Sequence, residues 1–275
     1  MRPAVAQRRT CRTVAASVGA AAALLVATLS LAAASPAHPA GSRTTIVLVH
    51  GAWADSSSWN DVLPRLRHEG FRTADPDLHL QSLADDVATV RDTLDSIPGK
   101  KILVAHSYGG FVIANAAAGR TDVLALVFAA AFVPAEGDSI ASLGTGFTPS
   151  PAFTHLAFTG APFGSPSYIA PNLFRYYFAQ DLSRTPAGLL NASQQPLNFP
   201  IVTTPSGPVA GPEVPSWYAV SGSDRMIDPA EERWMADRAG SHTVEFPGAS
   251  HVGGITRYAA QLTRLIERAA AATTH

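Results

Sequence analysis

Three uninterrupted apolar blocks, Thr45 to Val49, Ile102 to Ala105 and Val123 to Phe132, constrain this chain more than any other feature. Apart from Thr45 they are built from Val, Ile, Leu, Ala and Phe without the polar alternation of a half-exposed strand, so they predict strands buried on both faces. The segments between them read as helices and one short strand. Ser56 to Glu69 carries Trp59, Leu63 and Leu66 at near-helical spacing before Gly70, and Phe71 to Asp75 reads as a strand. Leu83, Val87, Val90 and Leu94 share one helical face that stops at Pro98-Gly99, and Gly109 to Ala118 is small enough to pack a helix hard against a sheet. Past Pro215 the alternation resumes with Trp217 to Val220 as strand, Pro229 to Ala239 as helix, Thr243 to Phe246 as strand and Ile255 to Ala272 as helix. This order predicts an α/β fold, a mostly parallel, doubly wound sheet of about six strands with right-handed crossovers.

The rhythm breaks between Pro134 and Pro215, which hold 13 of the 21 prolines, ten Phe or Tyr residues and six charges. So long a connection without structure of its own is unusual in a compact domain, so 134–215 is read as an inserted lid. The domain as a whole is predicted to span 41–275.

Residues 1–40 are of a different kind. Arg2, Arg8, Arg9 and Arg12 precede an uncharged, Ala/Leu/Val-rich run from Val14 to Ala34, and small residues follow up to Ala40. This is the pattern of a signal peptide with cleavage between 34 and 40, hence of a secreted protein. Arg8-Arg9 keeps the twin-arginine route open beside Sec, and an uncleaved membrane anchor is the alternative. Removal of this segment leaves 16 basic against 21 acidic residues and takes away Cys11, the sole cysteine. The mature chain therefore has no disulfide and no basic excess for nucleic acid, and no stable membrane insertion is expected of it. Oligomeric state is not legible.

Ser107 stands at the apex of Ala105-His106-Ser107-Tyr108-Gly109, between a buried strand and a small-residue helix. A sharp turn of this kind needs small neighbours, here Ala105 and Gly109, and it sets Ser107 at a helix N-terminus where negative charge is stabilised. A serine hydroxyl needs a base, and the base an orienting acid. His251 in a Gly-rich loop just past the last strand fits the base better than His50, His79 or His106. His106 is expected to point elsewhere, and His50 to brace the first loop. Asp224 follows the preceding strand directly and is assigned the acid, with Asp138 as runner-up. Asp228-Pro229-Ala230-Glu231 instead reads as an N-cap with a capping box. The N–H groups of Ala52 and Tyr108 are available as an oxyanion hole. No metal-ligand spacing or cofactor motif is present, so no cofactor is expected.

His50-Gly51-Ala52-Trp53, the Ser107 turn, Asp224 and His251, in that order, resemble the α/β-hydrolase superfamily. They are most similar to its small esterase-like branch with a His-Gly-Ala-Trp oxyanion loop, related to plant methylesterases and hydroxynitrile lyases. The resemblance implies that Ala52 and Tyr108 supply the oxyanion donors and that 134–215 is the lid. Ala52 and Val252 stand where the lyases carry Thr and Lys, which argues against cyanohydrin cleavage. Ser107 in place of an Asp argues against epoxide hydrolases and haloalkane dehalogenases. The expected function is a serine hydrolase, a carboxylesterase for small to medium apolar esters. Lactonase, amidase and cofactor-free haloperoxidase activity on the same triad remain open, as does a noncatalytic protein binding a small ligand.

Overall fold

The structure, a computed structural model, describes residues 44–159 and 166–273. The N-terminal segment read as a signal peptide therefore lies outside the described residues. Among these, no helix is long and apolar enough to cross a membrane.

In chain order the elements are β1 (Thr45–Val49), α1 (Leu63–His68), β2 (Arg72–Ala74), α2 (Leu83–Ser96), β3 (Lys101–Ser107), α3 (Gly109–Ala116) and β4 (Val123–Ala131). Then come α4 (Ile140–Leu143), β5 (Leu156–Phe158), β6 (Pro166–Ile169), α5 (Pro171–Phe178), α6 (Arg184–Ala192) and β7 (Leu197–Asn198). The chain closes with β8 (Ser216–Ser221), α7 (Pro229–Arg238), β9 (His242–Phe246) and α8 (Ala259–Thr273). The main sheet has six strands in the order β2-β1-β3-β4-β8-β9, every pairing parallel, with helices on both sides. β1 and β3 are buried along their whole length, as their unbroken apolar runs require.

The helices follow their sequence signals with three differences. Ser56 to Glu69 divides into a 3₁₀ turn over Ser56–Trp59, capped by Asp55, and the short α1, which has Pro64 in its first turn. α2 is capped by Ser82, whose hydroxyl accepts from Asp85 N–H at 3.1 Å, and it buries Leu83, Val90 and Leu94 as expected. The last helix begins only at Ala259, because the chain from His251 onward is taken up by turns. Third, Asp228 caps α7 by accepting from Ala230 N–H at 2.9 Å, but Glu231 does not complete the capping box; its side chain is buried instead.

Between β4 and β8 the chain has structure of its own. β5, β6 and β7 form an antiparallel three-stranded sheet; α5 packs against β6 and α6, and α4 precedes the sheet in the chain. Its apolar residues turn inward: Phe174, Phe178, Leu197 and Ile201 are buried and belong to the same core cluster as the main sheet.

Candidate active site

The carboxyl ends of β3, β8 and β9 lie along one edge of the sheet, with β4 between β3 and β8, and carry Ser107, Asp224 and His251 at or just past them. Parallel sheets place their ligand sites along this edge.

Ser107 ends β3 with φ +54°, in the left-handed region. A non-glycine residue there costs on the order of 1–3 kcal/mol and persists only where the surroundings impose it. Three glycines impose it here. A Cβ on Gly51 would fall 2.6 Å from Ser107 Cβ, one on Gly109 would fall 2.6 Å from the Val49 carbonyl oxygen, and one on Gly110 would overlap the Phe132 carbonyl. The need for glycine at 109 thus comes from the end of β1 rather than from Ala105. The turn is held from the other side by Phe132 N–H, which donates to the Ser107 carbonyl at 3.1 Å.

His251 Nε2 lies 2.9 Å from Ser107 Oγ, and His251 Nδ1 lies 2.6 Å from Asp224 Oδ2. A carboxylate only accepts, so Nδ1 carries the proton and Nε2 is left to accept from the serine hydroxyl. Asp224 is fixed by its own loop: Oδ1 accepts from Met226 N–H at 2.6 Å and from Ile227 N–H at 3.0 Å. The imidazole is clamped by Phe178 and His106, with ring centroids 4.7 and 4.6 Å away. Its loop turns tightly at Gly253, where a Cβ would come within 2.6 Å of Ser250 N. All three side chains are buried. Such an arrangement can pass a proton from a hydroxyl to an imidazole while the carboxylate supports the charge that develops.

The other candidates are engaged elsewhere. Asp138 accepts from Ala135 N–H at 2.8 Å and pairs with Arg238 at 2.9 Å, so it is not beside the imidazole. His50 braces the first loop, its Nδ1 donating to the Gly51 carbonyl and its Nε2 accepting from Leu78 N–H, both at 2.9 Å. Burial lowers its pKa below the ordinary histidine value. His79 is exposed. His106 does point away from Ser107, but toward the main chain of His251, whose carbonyl lies 2.9 Å from its Nε2. That support was missed in the sequence, since nothing local to Ala105-His106-Ser107 shows which distant loop the ring will meet. Desolvation drives the His106 pKa well below its ordinary value.

Ala52 and Tyr108 flank Ser107 on the wall of a small cavity. Among the described residues, neither backbone N–H has a hydrogen-bond partner. Tyr108 is held by its hydroxyl, which donates to Asp86 at 2.8 Å, while Asp86 also accepts from the N–H groups of His79 and Leu80. Most of the rest of the wall is apolar, Trp53 and Met226 included, and Ile140, Phe153, Leu197 and Val202 reach it from the segment between β4 and β8. The cavity has a volume of about 20 Å³, room for about one water molecule. Among the described residues, no group of three or more His, Cys, Asp or Glu side chains is arranged to hold a metal ion.

With this geometry in place, the sequence matches the family described as "Alpha/beta hydrolase family" over residues 46–262, and the chain belongs to that family. A carbendazim hydrolyzing esterase of Nocardioides sp. (strain SG-4G) is 37% identical over 110 residues, 35% of this chain and 46% of that protein, so the match spans about half of the relative's length. A pyrethroid hydrolase from Sphingobium faniae JZ-2 superposes with a TM-score of 0.71 at 24% identity, covering 83% of this chain and 98% of the other. A methylesterase from Arabidopsis does so with a TM-score of 0.69 at 18% identity, covering 82% and 99%. These two likenesses show the shared fold.

Proposed function

We propose that the protein is a serine carboxylesterase acting on small to medium apolar esters, with Ser107 as nucleophile, His251 as general base and acid, and Asp224 as the orienting acid. The observation that carries this reading is the pair of contacts on one imidazole, 2.9 Å to a serine held at positive φ and 2.6 Å to a buried carboxylate. His251 takes the Ser107 proton as Oγ attacks the ester carbonyl. The oxyanion is received by the N–H groups of Ala52 and Tyr108, each donor being worth about 3–4 kcal/mol. His251 then returns the proton to the departing alcohol, leaving an acyl group on Ser107. Water, deprotonated by His251, attacks that acyl carbon, and the acid leaves as Ser107 regains its hydrogen.

Apolar substrates are favoured by the wall of Trp53, Phe153, Leu197 and Met226. The relatives named as esterase and hydrolases support the reaction class. A cavity of about 20 Å³ admits no ester, so in this reading the segment 134–215 serves as a lid that moves aside for substrate. The arginine-rich start and apolar run of residues 1–40 support an exported enzyme. Hydrolysis of p-nitrophenyl esters of graded acyl length tests the reaction. Turnover that is lost in Ser107→Ala and that is faster on short and medium acyl chains than on charged ones supports the reading, and turnover that persists in Ser107→Ala overturns it.

A further inference from the structure

Glu232 is fully buried on the first turn of α7, a rare situation for a carboxyl group without a cationic partner. Its Oε2 accepts from Ser221 N–H at 3.0 Å at the end of β8, while Oε1 is sealed from solvent and receives no donor. The residue that donates to it ties it to a second buried carboxyl group: the Ser221 carbonyl accepts from Asp224 N–H at 3.0 Å, so Asp224 and Glu232 are both bonded to the main chain of Ser221, and the Asp224 carboxyl acts on that of Glu232 by charge and by side-chain hydrogen bonding. Two carboxylates in contact away from water do not both ionise, because repulsion adds to the cost of desolvation. Among the described residues, the cation acting on Glu232 is Arg233 of the same helix, and its guanidinium is exposed and paired with Glu245 on β9 at 2.8 Å. The other titratable groups around the pair are Tyr218 on β8, whose hydroxyl donates to the Ala131 carbonyl, Asp228, which adds negative charge, and Glu231, whose own pKa burial pushes up to about 7.

We propose that Glu232 is a positioning residue for this site: its buried carboxyl group carries the hydrogen that bridges to Asp224, which is thereby gripped from behind while Oδ2 faces His251. Asp224 is then held by three donors in addition to the imidazole, the Met226 and Ile227 N–H groups and the Glu232 hydroxyl. Burial, followed by the Asp224 charge, pushes the Glu232 carboxyl well above its ordinary range, although Ser221 N–H and the start of α7 both favour the anion. The bridge rests on Asp224 being the orienting acid of the proposed reaction.

Two substitutions separate this role from packing. Glu232→Gln retains a donor toward Asp224 and an acceptor for Ser221 N–H; Glu232→Met retains bulk and neither group. The expected result is that the Gln variant stays within about threefold of wild-type kcat, with the acid limb of its pH profile unmoved. The Met variant should lose about tenfold in kcat, the loss of about one hydrogen bond, with KM altered less than about twofold. If the Gln variant loses as much as the Met variant, or its acid limb moves to lower pH because a negative charge has been removed, the proposal is overturned. Isotope-edited infrared spectroscopy on inactive Ser107→Ala protein at neutral pH provides a readout independent of turnover and of the folding of the Met variant. A protonated-carboxyl band that disappears on adding Glu232→Gln supports the bridge, and absence of that band overturns it. Failure of the esterase reading would show instead as turnover by Ser107→Ala, leaving the band unaffected.

Discussion

Gly51 and Ser107 approach so closely that a methyl group added to the glycine would lie 2.6 Å from the serine Cβ and 3.0 Å from the carbonyl of His106. The loop after β1 is thereby pressed against the turn after β3, bringing Ala52 and Tyr108 to the same cavity wall. Gly51→Ala must push these two segments apart. It is expected to cost about 1–3 kcal/mol of stability from overpacking. Activity should fall about 10²-fold, the effect of misplacing reacting groups by about an ångström. Thermal denaturation and kcat/KM on a p-nitrophenyl ester check both; unchanged turnover would show that the loop can yield without disturbing Ser107.

Asp224 and Asp138 give opposite expectations. Asp224→Asn can keep its bonds from Met226 and Ile227 but presents an amide to His251 Nδ1, favouring the wrong tautomer, so turnover should fall by about 10⁴-fold in a folded protein. Asp138→Asn removes the ion pair with Arg238, a partly exposed pair worth about 1 kcal/mol or less, and should leave turnover within about twofold. Steady-state kinetics on the two variants distinguish the two acids, and the reverse pattern would reassign the role.

Glu231 predicts a dependence of stability on pH. Burial, then the charges of Asp228 and Asp224, push its pKa up to about 7. The unfolded chain releases this proton near the ordinary value of 4.5 while the folded protein retains it, so the stability contributed is complete below 4.5 and is lost as pH rises toward about 7. Glu231→Gln should therefore raise Tm relative to wild type more at about pH 8 than at about pH 4.5. An equal shift at both pH values would place the carboxyl in contact with water.

The buried histidines act in the opposite direction. Burial lowers the pKa of both His50 and His106 from the ordinary 6.5, so the stability linked to their neutral forms is present above 6.5 and is lost as pH falls below it. His50→Gln keeps an acceptor for Leu78 N–H but does not titrate. It should reduce the fall in Tm between about pH 7 and about pH 5, as read by differential scanning fluorimetry. An unchanged slope would assign the acid sensitivity to other groups.

Much of the architecture was legible because buried parallel strands leave unbroken apolar runs and helices leave periodic ones. The order of β1 to β4 and of β8 and β9 follows directly from Thr45 to Phe132 and from Trp217 to Phe246. Ser107, Asp224 and His251 stood out because each follows a strand within a few residues. The sheet of β5, β6 and β7 did not, since strands of two to four residues are too short to establish a period. Glu232 was also hidden. In sequence Pro229-Ala230-Glu231-Glu232 is an ordinary acidic first turn, and only the packing of α7 against β8 turns the second carboxyl inward. The same holds for His106, whose partner is a loop 145 residues away.

The most direct test of the central claim is intact-protein and peptide mass spectrometry after exposure to a fluorophosphonate. The expected result is a single adduct on Ser107, formed by folded wild-type protein, absent in Ser107→Ala and formed far more slowly in Asp224→Asn. A folded wild-type protein that takes up no adduct, or one carrying it at another residue, would contradict the assignment of Ser107 as nucleophile.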